Sequence, residues 1–416
     1  MKVRTVAAVV PLLAALATAV AGCGSGTATG AAPAATGGGG SADPGISKTS
    51  VTLGGSYPFS GPAAAYSTLV YGVQAAFDAA NAGGGVSGRK IKYTALDDGY
   101  DPARALQDAH QLIEQDHVFA ILGSAGTPTN FADWDYINQA GVPDLFLISG
   151  ASNWGADIKA HPWTIGGLPS FVAEARIYAH YLERVMPHAT IAILYQNDEF
   201  GQDYLGGFLH AIAGSGLKVI AKQDYVVTDP TVDTQVSNLA ASKAQVFVDF
   251  STAQFTIQAI KQAASLGWKP LHIIPVPDAS KTQVLEPAGL QNSTGIISVD
   301  YSKDPTDPRW ARDASVQEYL RAVKQYTPKA NPDDFNVEEG WIVAQAMIAA
   351  LKAMKHPTRA SLMQAVRTLN VPEGVLLPGV EINTTHGYPI QTMYVARFNG
   401  TTWQLLGSPI TETRGY

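Results

Sequence analysis

Apolar residues recur along this chain in two alternating rhythms. Short runs rich in Val, Ile, Leu, Tyr and Phe predict strands at 50–56, 90–96, 118–122, 144–148, 190–195, 218–224, 245–250 and 271–275. Between them apolar positions fall three and four apart, predicting helices over 67–82, 102–115, 128–139, 171–185, 201–214 and 252–266. At 102–115, Asp101 is a ready N-cap, Pro102 suits the first helical position, and Leu106, Ala109, Leu112 and Ile113 share a face. Such alternation predicts an α/β chain of parallel sheets covered by helices on both sides. The rhythm then changes. Helices are predicted over 312–326, over 335–353 (Val337, Trp341, Ala344, Ile348 and Leu351 on one face) and over 358–369. Strands at 391–398 and 402–406 follow, joined by the hairpin signal Asn399-Gly400. A helical supplement with a late return to sheet fits two α/β lobes between which the chain crosses more than once.

The N-terminus adds a compartment. Lys2 and Arg4 precede an apolar run from Val6 to Val20, and Val20-Ala21-Gly22-Cys23 fits a lipobox. The run falls short of the roughly 20 residues of a spanning helix, and Pro11 interrupts it. Residues 1–22 are therefore expected to be a leader, Cys23 the lipidated residue, and 23–47, rich in Gly, Ala, Ser, Thr and Pro, a flexible tether. Cys23 is the only cysteine, which excludes disulfides, cysteine-ligated metal and thiol catalysis. Loss of Lys2 and Arg4 takes the net charge from 28 − 35 = −7 to 26 − 35 = −9. An acidic chain without a basic run argues against nucleic acid as a partner and leaves membrane attachment to acyl chains. From about residue 46 to 416 the chain is too long for one small core, so two domains are expected.

Gly83-Gly84-Gly85-Val86-Ser87-Gly88 spells GxGxxG but follows a predicted helix and precedes a strand, the reverse of the dinucleotide-binding order; it reads as a helix end and turn. No GxxxxGK[ST], HExxH or CxxC occurs, and the nine histidines lack ligand spacing, so no cofactor, metal site or enzyme activity is expected. Ligands of open α/β sheets bind beyond strand C-termini. Three such segments stand out: Ser60-Gly61-Pro62 with Tyr66, then Gly123-Ser124-Ala125-Gly126-Thr127-Pro128, then Ser149-Gly150-Ala151-Ser152. In the second, Thr127 would cap a helix opening with Pro128, and Gly126 would let the backbone approach a ligand. Free N–H groups there would hold a carboxylate without Arg or Lys. The same residues would equally build an ordinary capped helix start.

The segments Ser60-Gly61-Pro62-Ala63-Ala64-Ala65-Tyr66, Asp97-Asp98, Gly126-Thr127-Pro128-Thr129-Asn130, Tyr195-Gln196-Asn197-Asp198-Glu199-Phe200-Gly201, Asp229-Pro230-Thr231-Val232-Asp233 and Asp304-Pro305-Thr306-Asp307-Pro308 resemble the leucine/isoleucine/valine-binding protein family, in order, over about residues 50–407. The resemblance implies a type I periplasmic-binding-protein fold. Two doubly wound lobes, 48–166 with 297–380 and 167–296 with 381–416, would be joined by a three-strand hinge. It also implies the capture component of an ABC importer, docking on permease subunits, with a ligand-sensing receptor on the same scaffold as the alternative. The ligand carboxylate would sit at Ser124, Gly126, Thr127, Ser149, Ala151 and Ser152, bordered by Tyr66. Amino-acid binders of this family hold the ammonium with an acidic residue and tyrosines of the second lobe. Here those positions fall on Val276, Thr252 and Phe200, with Asp278 two residues beyond Val276. The clamp is weakened or displaced, which favours an amide or an aromatic or aliphatic acid unless Asp278 turns inward. Phe200 and Trp154 would be apolar walls.

Overall fold

The computed structural model describes residues 42–371 and 373–415; the expected leader, Cys23 and residues 23–41 of the expected tether lie outside them. Five parallel strands build the first sheet: β1 (Ser50–Tyr57), β2 (Lys90–Asp97), β3 (Ala120–Leu122), β4 (Asp144–Leu147) and β5 (Thr164–Gly166), in the order β2-β1-β3-β4-β5. The second sheet takes β6 (Thr190–Gln196), β7 (Lys218–Tyr225), β8 (Val246–Phe250), β9 (Leu271–Ile273) and β10 (Ile297–Asp300), all parallel. β11 (Asn370–Val371) and β12 (Ile382–Asn383) form a separate short ladder. β13 (Thr392–Phe398) returns antiparallel to β10, extended by β14 (Trp403–Leu405) and β15 (Ile410–Thr411). The late return to sheet is thus a return to the second sheet.

Burial explains these assignments. β8, at the centre of its sheet, is buried at every position, whereas edge strand β7 alternates exposed and half-buried residues along most of its length. Asp101 caps the helix Pro102–His110, accepting from the N–H groups of Ala103 at 2.8 Å and Arg104 at 3.2 Å, with Pro102 in the first turn. That helix continues as a π-turn over Gln111–Gln115. β10 and the helix Asp233–Ala241 were not expected; the helix buries only Val236 and Leu239, too thin a stripe to mark a period. One expectation is corrected at the start. Residues 42–47 are packed rather than tether-like: Ile46 is buried and bridges Val51, and Asp43 accepts from the Arg359 N–H at 2.6 Å.

The helix Phe335–Ala353 lies against Leu69–Ala82, and each needs a glycine at the crossing. A Cβ on Gly72 would stand 1.8 Å from the Val337 carbonyl oxygen, and one on Gly340 1.9 Å from that of Leu69. This contact fixes the residues at the start of the long helix. Gly72→Ala is expected to destabilise the protein by about 1–3 kcal/mol, the range for overpacking, read as a lower denaturant midpoint at unchanged slope.

Candidate functional site

A cavity lies where strand C-termini of both sheets converge. Tyr66 reaches it beyond β1, Tyr100 beyond β2, Ala125-Gly126-Thr127 beyond β3, Ile148 beyond β4, and Leu168 and Phe171 beyond β5. The second sheet contributes Phe200 beyond β6, Thr252 beyond β8, Pro277 beyond β9 and Tyr301 directly after β10. Phe335, Asn336 and Glu339, from the first turn of Phe335–Ala353, complete the wall. The lining is mostly aromatic and aliphatic, so shape and desolvation carry much of the recognition and a few polar groups orient the occupant.

The corner after β3 departs from expectation at the helix cap. Gly126, not Thr127, is the N-cap of the helix Thr127–Gln139; Thr127 and Pro128 form its first turn. Gly126 has φ +123, and a Cβ there would meet Thr129 Oγ1 at 2.4 Å and the Tyr100 ring at 2.8 Å, so both conformation and space require glycine. Among the described residues the backbone N–H groups of Thr127 and Thr129 have no acceptor. The Thr127 hydroxyl is paired with Ser149 Oγ at 2.8 Å, and either hydroxyl can be the donor.

The other expected residues form a supporting layer or a latch. Ser124 Oγ accepts the Ser56 N–H at 3.2 Å beneath the cavity, and Ser149 Oγ also accepts from the Trp154 indole at 3.0 Å and the Ala151 N–H at 3.3 Å. Ala151 is fully buried, in a cluster with Trp154. Trp154 is not a cavity wall; it packs against Phe131 and Trp134, with ring centroids 4.7 and 4.9 Å away. The Ser152 N–H and hydroxyl both donate to Asp203 of the helix Glu199–Ala211, at 2.5 and 2.9 Å, tying the two halves together.

Asp278 does not turn into the cavity. It is fully buried and accepts from Tyr66 Oη at 2.6 Å, from the Ala253 N–H at 2.8 Å and from Thr256 Oγ1. Tyr66 belongs to the first half and Asp278 to the second, so this cluster is a further tie across the cleft. Burial pushes the Asp278 carboxyl up to about 7, against the lowering effect of its three donors. Val276, on which the family's acidic position falls, is buried with its N–H on Glu174 at 2.8 Å. Glu174 in turn holds the Tyr178 and Tyr204 hydroxyls at 2.5 and 2.6 Å, and burial pushes it to about 7 as well. Tyr100, Tyr301, Phe335, Asn336 and Glu339 escaped sequence reasoning. Tyr301 was hidden with the unrecognised β10, and Glu339 by the apolar stripe it flanks.

The arrangement is that of a solute-binding protein, two α/β lobes with a cavity between their strand C-termini. The chain belongs to the periplasmic binding protein family, whose model matches residues 50–402. It is 25% identical to Leu/Ile/Val-binding protein homolog 7 of Brucella abortus (strain 2308) over 341 residues, covering 78% of this chain and 82% of that protein. Among solved structures it resembles a branched-chain amino acid ABC transporter protein from Thermus thermophilus with bound valine, at a TM-score of 0.77 and 17% identity, over 88% of this chain and 98% of that one. It also resembles a solute-binding protein from R. palustris in complex with benzoate, at 0.75 and 16%, over 87% and 98%. The fold is the type I periplasmic-binding-protein fold, and the protein is a non-enzymatic, extracytoplasmic solute-binding protein. No helix of the described residues is long and apolar enough to cross a membrane.

Asp278 and Glu174 give the stability a pH dependence of defined sign. A carboxyl with a folded pKa near 7, above its ordinary value near 4, binds its proton more tightly when folded. Its contribution is therefore complete below about pH 4 and is lost as pH rises through about 7. The melting temperature is expected to fall between about pH 5 and pH 7.5, and less steeply in Asp278→Asn, as read by a thermal melt series.

Proposed function

We propose that the chain is an exported, lipid-anchored capture protein of an ABC importer that closes two lobes on a small carboxylate-bearing ligand. The observation that carries this reading is the cavity at the strand C-termini, with the unpaired Thr127 and Thr129 N–H groups at the start of a 13-residue helix. A carboxylate there takes charge-assisted hydrogen bonds and faces the positive end of the helix dipole. The aromatic lining suits an apolar body, as in a branched-chain or related amino acid, an amide or an aromatic acid. The lobes are taken as 48–166 with 297–380 and 167–296 with 381–416, adjusted so that β10 stays with the second sheet. Closure makes the Tyr66–Asp278 and Ser152–Asp203 hydrogen bonds, and the closed form docks on permease subunits. Lipidation at Cys23 is supported by the basic and apolar leader and the lipobox ending there.

The test is a thermal-shift and calorimetry panel on the mature chain, using amino acids, aliphatic and aromatic acids and their carboxamides. A ligand at 100 times its Kd adds about 2.7 kcal/mol of stability, a readily measured rise in Tm. Replacing the ligand carboxylate by carboxamide is expected to weaken binding about 10-fold or more. Gly126→Ala, which turns the corner's N–H groups away, is expected to weaken every carboxylate alike. Equal binding of an acid and its amide would remove the anion corner from the reading.

A further inference from the structure

The carboxylate corner leaves the rest of the cavity's polarity to be explained. Most polar side chains on the wall are already committed. The Tyr66 hydroxyl donates to Asp278, Thr252 Oγ1 to Gln196 Oε1 at 2.6 Å, and Asn336 Nδ2 to the Ala65 carbonyl at 3.0 Å. The Tyr100 hydroxyl accepts from Gln196 at 3.3 Å. Glu339 differs. Of the buried side-chain oxygens that lack a partner among the described residues, on Asp133, Asp144, Glu338 and Glu339, only Glu339 Oε1 belongs to a residue of the cavity wall. Its neighbour Glu338 turns to the opposite side, where its other oxygen holds the Ser302 hydroxyl at 2.8 Å.

We propose that Glu339 is the specificity-determining residue for the ligand's second polar group and receives an ammonium, so that the preferred ligand carries both a carboxylate and an amine. This rests on the carboxylate-binding reading above and adds the other end of the ligand. Glu339 is 1% exposed, and the Tyr301 hydroxyl, donating to Oε2, fixes the carboxyl plane and leaves Oε1 as the free acceptor. No lysine, arginine or histidine pairs with it among the described residues. Burial raises its carboxyl to about 7, the response of an acid whose anion lacks a counter-charge. A ligand ammonium supplies that counter-charge and fills the open hydrogen-bond position together. The second lobe's acids are not available for this role: Asp278 is saturated by Tyr66, Ala253 and Thr256, and Glu174 by two tyrosines and the Val276 N–H. The amine is therefore held from the first lobe's long helix rather than from the loop after β9.

The experiment compares amine-bearing acids with their deaminated partners by calorimetry on the mature chain. The pairs are leucine with isocaproate, phenylalanine with hydrocinnamate, and ε-aminocaproate with caproate, which together vary body and amine spacing. In the wild type, the amine-bearing member of at least one pair is expected to bind about 10-fold tighter or more. Glu339→Gln, of nearly the same shape, is expected to bring that ratio to within about threefold while circular dichroism stays unchanged. Tyr301→Phe, which releases the carboxyl without removing it, is expected to reduce the ratio less. Equal or tighter binding of every deaminated acid by the wild type overturns the role of Glu339 and leaves the carboxylate reading standing. An unchanged ratio in Glu339→Gln overturns it likewise. Binding of none of the six overturns both readings.

Discussion

The contact between the two lobes depends on a carboxyl group that water does not reach. Asp278 takes the Tyr66 hydroxyl from one lobe and the Ala253 N–H and Thr256 hydroxyl from the other. Burying such a group is unfavourable unless its oxygens are occupied, so the cluster holds together only with the lobes in this position. Withdrawing Tyr66 strips one donor from Asp278 and exposes the site. The same cluster holds Ala253 at φ +42, a conformation an alanine rarely adopts, at the head of the helix Gln254–Ser265 and beside the cavity residue Thr252. Ser152 with Asp203 makes a second, part-buried tie from the opposite wall. The cavity lining and the contacts between the lobes thus share loops.

Much of the scaffold was legible because its signals are local. The helix expected at 171–185 is observed as Phe171–Val185, and the expected 335–353 as Phe335–Ala353; both have apolar faces many turns long. Strands β1, β2, β6 and β7 match within a residue or two, since parallel strands between helices leave distinct apolar runs. β5 and β10, at three and four residues, are too short to carry a period. At the site, Tyr66, Gly126, Thr127, Phe200 and Thr252 do line the cavity, each in the segment that follows a strand. Sequence spacing does not reveal which of two neighbouring side chains faces a cavity. Trp154 turns into the aromatic cluster with Phe131 and Trp134, and Asp278 meets a tyrosine 212 positions earlier in the chain. Glu338 and Glu339 are adjacent and chemically alike, and only their position around the helix separates a cavity acid from one facing elsewhere.

The surroundings of the cavity show how a binding protein still concentrates perturbed acids. Glu174, Asp278 and Glu339 all stand near 7 because each is buried. In an enzyme such shifts tune proton transfer. Here two of the three are saturated by tyrosine hydroxyls and backbone N–H groups, which makes them joints of the framework.

The glycine crossing of Leu69–Ala82 and Phe335–Ala353 has a bearing on selectivity. With backbone against backbone at Gly72 and Gly340, no side chain can compress to let the second helix slide. Phe335, Asn336 and Glu339 therefore stand on a rigid shelf, and the wall they form cannot swell around a larger guest. A pocket of that stiffness measures its occupant by volume: one surplus methylene must be accommodated elsewhere, a difference of about 1–3 kcal/mol in an apolar site. Two hydrogen atoms in place of side chains thus hold that wall in place.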